Sequence, residues 1–369
     1  MRKLAANYIY PISQKPLKNG ILIMNEDGSV LDIIDSGGNL REMENLEFYN
    51  GILVPGFINA HCHLELSYLK GKISRHKKLP GFITDLVQSR TDDPSIITEP
   101  VRMANEALRN NGVVATGDIS NTSSSFFVKN SGTIRYHTFL EIWAIDPNKS
   151  DEVFINAINL LRFLQSNFPH NASICPHAPY SVSDALFRKI QDYCRMNENI
   201  ISIHNQETRS ENELFRENKG SLKQALEDLG EDYSGFRHGR ENSLQTTLKK
   251  LPQSQNILLI HNTFTSEEDI IYAERNHQAL FWILCPNSNL YIEKRLPDIN
   301  LFWNLEVKTA IGTDSLASND TLSVLEELKT ISSHFPGIPL NDLLKWATLN
   351  GSEALNMDNE LGSFKKGKK

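Results

Sequence analysis

The chain has 369 residues, 40% of them hydrophobic, 22% charged and 8% aromatic. That is too long for a minimal domain and too apolar for disorder, and it fits one large domain or a barrel of roughly 250 residues with an attachment. A formal charge of -7 argues against nucleic acid or an anionic membrane as the main partner, and no run approaches the roughly 18 apolar residues of a membrane span. The opening Met1-Arg2-Lys3-Leu4 is basic, but Pro11 arrives before a signal-peptide core develops. Cys62, Cys175, Cys194 and Cys285 form no CxxC pair, which reads as reduced thiols in a cytoplasmic protein.

The first stretch is short-stranded. Apolar runs over 20–24 and 29–34 are joined through Asn25-Glu26-Asp27-Gly28, a hairpin signal, and another strand is expected over 51–54. Beyond Pro55-Gly56 the pattern changes to alternating strand and helix. Strands are predicted over 57–63, 113–118, 134–142, 172–177, 200–204, 256–261, 279–285 and 309–314. Helical spacing appears over 99–110, 151–165, 183–196, 222–229, 266–275 and 322–332, with Ser183 and Ser266 as caps. Eight strands alternating with helices predict an α/β fold, a (β/α)8 TIM barrel whose reacting residues lie at the C-terminal strand ends.

Side chains alternate along a strand, so His61 and His63 point to one side and Cys62 to the other. Two imidazoles at a strand end can share a metal, although an isolated HxH is more often two unrelated polar residues. The rest of the chain changes that balance. His204, His261 and Asp314 close the fifth, sixth and eighth predicted strands. Three imidazoles and a carboxylate with one position open to water form a catalytic zinc arrangement, with iron(II) or manganese(II) as the alternatives for one divalent ion. Other polar residues have plainer readings. Asp118 is a structural carboxylate, Glu65 and Glu141 are either pocket residues or ion-pair partners, and Cys62, Cys175 and Cys285 belong to the core. His76, His170, His277 and His334 are expected at the surface. Ser67, Ser120 and Ser288 lack a nucleophilic triad pattern.

Six segments in order carry a resemblance: 55–65, Pro176-His177-Ala178-Pro179-Tyr180-Ser181, His204-Asn205-Gln206-Glu207-Thr208, His261-Asn262, Cys285-Pro286-Asn287-Ser288-Asn289, and 312–319. Together they resemble the amidohydrolase superfamily, in its deaminase and chlorohydrolase branch. The resemblance implies a metal held by His61, His63, His204 and Asp314. Asp314 also accepts a proton, Glu207 serves as acid and base, and His261 stabilises developing charge. His177 and Ser318 contact substrate. One metal is implied, since 173–177 lacks the lysine of binuclear members. It further implies a small β-sandwich domain built from both termini, with residues 1–56 and 355–369 flanking a barrel over 57–354. Measured against such relatives, the chain is expected to end before the usual last strands.

The implied activity is hydrolytic removal of an exocyclic amine from a purine-like or other small nitrogen heterocycle, through metal-activated water. Alternatives keep the site and change the bond, to a chloro-heterocycle or an amide, or narrow the substrate to aminodeoxyfutalosine. The run His63-Leu64-Glu65-Leu66-Ser67 leans that last way. A catalytically dead scaffold is the rival from another class; such relatives lose ligands, and none is lost here. Within 235–243, Arg237, His238 and Arg240 are read either as contacts for a polar or anionic substituent or as a solvated basic loop. The oligomeric state is left open, with a homo-oligomer allowed.

Overall fold

The computed structural model describes residues 1–369 other than Ser131, Pro169 and His170, so the expectation for His170 lies outside the described residues. Its strands are β1 Arg2–Ile9, β2 Leu17–Lys18, β3 Ile21–Met24, β4 Val30–Ile34, β5 Leu46–Leu53, β6 Phe57–Cys62, β7 Val113–Ser120, β8 Arg135–Ile142, β9 Asn171–Pro176, β10 Ile201–Asn205, β11 Ile257–His261, β12 Leu280–Leu284 and β13 Thr309–Ile311. All eight strands expected beyond residue 56 are present, and helices fill the intervals between them.

β6-β7-β8-β9 and β10-β11-β12-β13 are two four-stranded parallel sheets. Parallel strands covered on both faces read as near-continuous apolar runs, as Ile257–His261 and Leu280–Leu284 do with every residue buried. The sheets meet at two seams. At one, Thr313 and Asp314 N–H groups donate to the His61 carbonyl at 3.0 and 3.1 Å, and Cys62 bridges Asp314 in parallel. At the other, His204 N–H donates to the His177 carbonyl at 3.0 Å. The helices start where their caps predict. Ser183 accepts from Leu186 N–H, and Ser266 forms a reciprocal capping box with Asp269.

The N-terminal residues form one five-stranded sheet, β2-β1-β3-β4 with β5 parallel to β1. The expected sandwich differs in form. The C-terminal segment joins this sheet as irregular chain, with Val30 N–H donating to Lys368 O at 2.7 Å and Phe364 N–H to Pro11 O at 2.9 Å. Phe364 seals a small core with Leu4, Ile9, Leu22 and Val30. Residues from both ends of the chain thus meet at this sheet, and no other sheet packs on it as a sandwich partner among the described residues. β1 was not anticipated, because its charged start masks the buried Leu4-Ala5-Ala6 that follows.

His277, expected at the surface, is buried, and its Nε2 lies 3.0 Å from the Leu248 carbonyl. All four cysteines are buried and free. No helix among the described residues is long and apolar enough to cross a membrane.

Candidate active site

Every strand end named by the sequence delivers its side chain to one place. His61 and His63 come from the end of β6, His204 from β10 and His261 from β11, while Asp314 lies just beyond β13. All five are buried. The His61 and His63 Nε2 atoms are 3.2 Å apart, and Asp314 Oδ1 lies 3.5 and 3.4 Å from them. The His204 ring is 5.1 Å from His61, 5.5 Å from His63 and 5.5 Å from His261, centroid to centroid. His61, His63 and His204 form one set of nitrogens, and His61, His261 and Asp314 another set of donors, each close enough together to hold an ion.

Donor spacing tests whether a metal fits. A tetrahedral ion with bonds of about 2.0–2.1 Å keeps its ligands about 3.3–3.4 Å apart. The three measured edges, 3.2, 3.4 and 3.5 Å, match that spacing. Burial lowers the pKa of His61 and of His63, which favours the neutral imidazole that ligates. For Asp314 burial acts upward, but the surrounding imidazoles outweigh it and hold the carboxyl well below its usual range.

Neighbours fix these groups. Asp314 Oδ2 accepts from Ser288 Oγ at 2.6 Å and from Ser318 Oγ at 2.5 Å. Ser318, implied as a substrate contact, is therefore fully buried with its hydroxyl committed to Asp314. His204 Nδ1 lies 2.8 Å from the His177 carbonyl and donates to it, which turns Nε2 into the free acceptor. Glu141 Oε1 approaches the same Nδ1 at 3.5 Å, and its Oε2 accepts from Asn121 Nδ2 at 3.0 Å. His261 Nδ1 pairs with Asn289 Oδ1 at 3.0 Å, and its Nε2 is 3.6 Å from Glu207 Oε1. Burial, reinforced by Asp314, Glu293 and Glu211, pushes the Glu207 carboxyl well above the carboxylate range. The shift favours the protonated carboxyl, the form that can donate to a bound group.

Backbone strain concentrates here. Gln206, His261, Asn262 and Asp314 have φ of 45°, 73°, 57° and 58°, in the left-handed region that bulky residues avoid. Gly312 is required where the strands close in, since a Cβ there would stand 2.8 Å from His61 Cβ.

His177 is half-buried between Trp143 and Tyr180, each 5.9 Å away by ring centroid, and its Nδ1 pairs with Ser181 Oγ at 2.7 Å. Its Nε2 makes no hydrogen bond among the described residues. Arg237, His238 and Arg240 are not gathered in. They are exposed on the loop before the helix Ser243–Leu248, and none is hydrogen bonded to the converging residues. The loop itself is anchored, with Tyr233 OH donating to Tyr180 O at 2.5 Å and Phe236 against Phe215 at 5.1 Å. Asp118 is structural, as expected. It accepts from Leu64 N–H and pairs with the fully buried Lys129 Nζ at 2.6 Å. Sequence reasoning weighed Ser288 only as a nucleophile without a triad and passed over Asn289 and Glu211, although the first two lie inside a quoted motif and Glu211 follows Glu207 by four residues.

The Amidohydrolase family model matches residues 52–369. A 5-methylthioadenosine/S-adenosylhomocysteine deaminase of Teredinibacter turnerae is 25% identical over 99% of this chain and 81% of its own length. The fold is shared with Helicobacter pylori aminofutalosine deaminase in complex with methylthio-coformycin, at a TM-score of 0.84 and 22% identity, over 100% of this chain and 90% of that one. It is also shared with an adenosine deaminase from Xanthomonas campestris with bound zinc, at a TM-score of 0.75 and 19% identity, over 99% of this chain and 82% of that one. This chain belongs to the amidohydrolase family.

Proposed function

We propose that the protein is a cytoplasmic, metal-dependent aminohydrolase that removes the exocyclic amine of an adenine-like heterocycle. One observation carries the reading: two imidazole nitrogens and a carboxylate oxygen converge at tetrahedral spacing, with the buried Glu207 carboxyl beside them, 3.6 Å from His261 Nε2. The deaminase relatives support the substrate class. On this reading the two parallel sheets are halves of one eight-stranded barrel over 57–354, and 1–56 with 355–369 form the attached β domain.

His61, His63, His204 and Asp314 would hold the ion, and the donor set suits zinc, as bound in the Xanthomonas relative. When bound, a divalent metal supplies Lewis acidity that brings the pKa of water to about 7. Glu207 donates its proton to the ring nitrogen beside the amine, takes up the proton of the hydroxyl formed on the ring carbon and delivers it to the departing NH2, which leaves as NH3. The proton held by Asp314 then resets Glu207. Asp314, ionised and held by Ser288 and Ser318, accepts the proton that the attacking water gives up. His261, fixed by Asn289, supports the oxygen that bonds to the ring carbon. We assign contact with the substrate body to His177. Groups projecting past the mouth fall to Arg237 and Arg240. Ser318 is assigned to positioning Asp314.

Glu207→Gln keeps the shape and removes the proton relay. Metal content per chain should stay at the unsubstituted level while ammonia release falls on the order of 10²- to 10⁴-fold. Turnover at the unsubstituted rate contradicts the assignment. A panel of amino- and chloro-heterocycles, scored for ammonia against chloride, separates this activity from dehalogenation at the same site.

A further inference from the structure

The helix Val324–His334 buries Val324, Glu327, Leu328 and Ile331, the stripe that helical spacing turns toward a core. Glu327 thus fills an apolar slot. It is fully buried, and no cation among the described residues pairs with it. A carboxylate in such a slot costs stability unless donors reach it, and a leucine would fill the space without that cost. Burial pushes the carboxyl up to about 8, and the charge of Asp314 adds to the rise.

Two donors do reach it. Oε2 accepts from Asn287 N–H at 2.8 Å, and Oε1 accepts from Asn319 Nδ2 at 2.8 Å. Each partner adjoins a serine that bonds Asp314: Asn287 precedes Ser288, and Asn319 follows Ser318. Both serine hydroxyls end on Asp314 Oδ2, which leaves Oδ1 facing the His61 and His63 Nε2 atoms. The two turns come from different strands, the first after β12 and the second after β13. The same helix grips the first turn again, since Thr330 Oγ1 donates to Asn287 Oδ1 at 2.6 Å. That turn also carries Asn289, the partner of His261. In the second turn Asn319 Nδ2 also reaches Thr313 O at 2.8 Å, while its Oδ1 accepts from Asp320 N–H at 2.8 Å. The Asn319 amide is therefore committed in one orientation.

We infer that Glu327 is a positioning residue for the reaction: one buried carboxylate clamps the turns after β12 and β13, and so sets how Ser288 and Ser318 aim Asp314. Glu327 is hydrogen bonded to none of the metal donors and acts through the serines alone. The inference rests on the aminohydrolase reading for the task of Asp314 and adds what holds that carboxylate in place. Releasing either turn frees Oδ2 and lets Oδ1 swing from the imidazole edge.

The test starts from Glu327→Gln, which keeps the size and replaces one acceptor by an NH2 group. Whichever way the amide turns, that NH2 meets the committed donor of Asn287 or Asn319, so one turn is released. In the metal-loaded protein, kcat for ammonia release from adenosine should fall roughly 10- to 100-fold, with KM within about twofold. The visible absorption of the cobalt-loaded protein should shift, because an oxygen at the ion has moved. Combined with Ser288→Ala or with Ser318→Ala, Glu327→Gln should lose most of its effect in at least one pairing. Unchanged kcat and cobalt absorption, whatever the Tm, would make the residue merely structural and overturn the inference. Full effects in both serine backgrounds would overturn it too. If the glutamine variant does not fold, Glu327→Asp, with both acceptors on a stem one methylene shorter, is judged by the same readouts. Absence of ammonia from every adenosine-like amine would instead sink the aminohydrolase reading, and cobalt absorption across the same variants then decides the inference.

Discussion

The Glu211 carboxylate is buried among neutral donors. It accepts from the N–H groups of Gln206 at 3.1 Å and Glu207 at 3.3 Å, and no cation among the described residues pairs with it. Burial pushes it from 4.5 up to about 7. The folded state therefore binds more protons than the unfolded chain between about pH 4.5 and 7. Stability contributed by this group falls as pH rises through that window, by on the order of 3 kcal/mol. Glu211→Gln should flatten that fall. Urea unfolding of both proteins at about pH 5 and about pH 8 measures it, and an equal pH difference in the two refutes the assignment. Histidines at strand ends were legible because alternation and strand termini are local patterns. Glu141 could be weighed only as one of two readings, since its partners Asn121 and His204 arrive through space.

At the scale of elements, the site depends on how closely β6 and the segment after β13 approach. Gly312 has room for no side chain, with His61 Cβ at 2.8 Å and Cys285 Sγ at 3.0 Å from an added Cβ. Gly312→Ala should cost about 1–3 kcal/mol by overpacking and displace His61, so metal content should fall with stability. Thermal unfolding and metal analysis of the same sample decide it, and a destabilised protein that keeps its full metal would show the seam to be independent of the site. The parallel strands were visible in the sequence because each is a short apolar run ending in a polar cluster. The 3-10 turn Leu64–Leu69 was not, since its start rests on the distant Asp118. Nor was the left-handed backbone at His261 and Asp314, which no local pattern in non-glycine residues announces.

Across the whole molecule, the two parallel sheets each deliver part of one donor set: His61 and His63 from the first, His204 and His261 from the second, with Asp314 at the seam. Neither sheet alone holds the ligands of an ion, which ties metal binding to the complete fold. The division between parallel sheets and N-terminal sheet was legible from the change of pattern at Pro55-Gly56. The manner in which the tail closes on that sheet was not, because residues 360–369 carry no strand periodicity and are held by backbone bonds to Val30 and Pro11. The central claim is one metal working with a protonated carboxyl to release ammonia. Metal-free protein titrated with zinc in the presence of an adenine nucleoside tests it directly: ammonia release should rise linearly and level off at one zinc per chain. Levelling at two, or no ammonia from the loaded protein, would contradict the account.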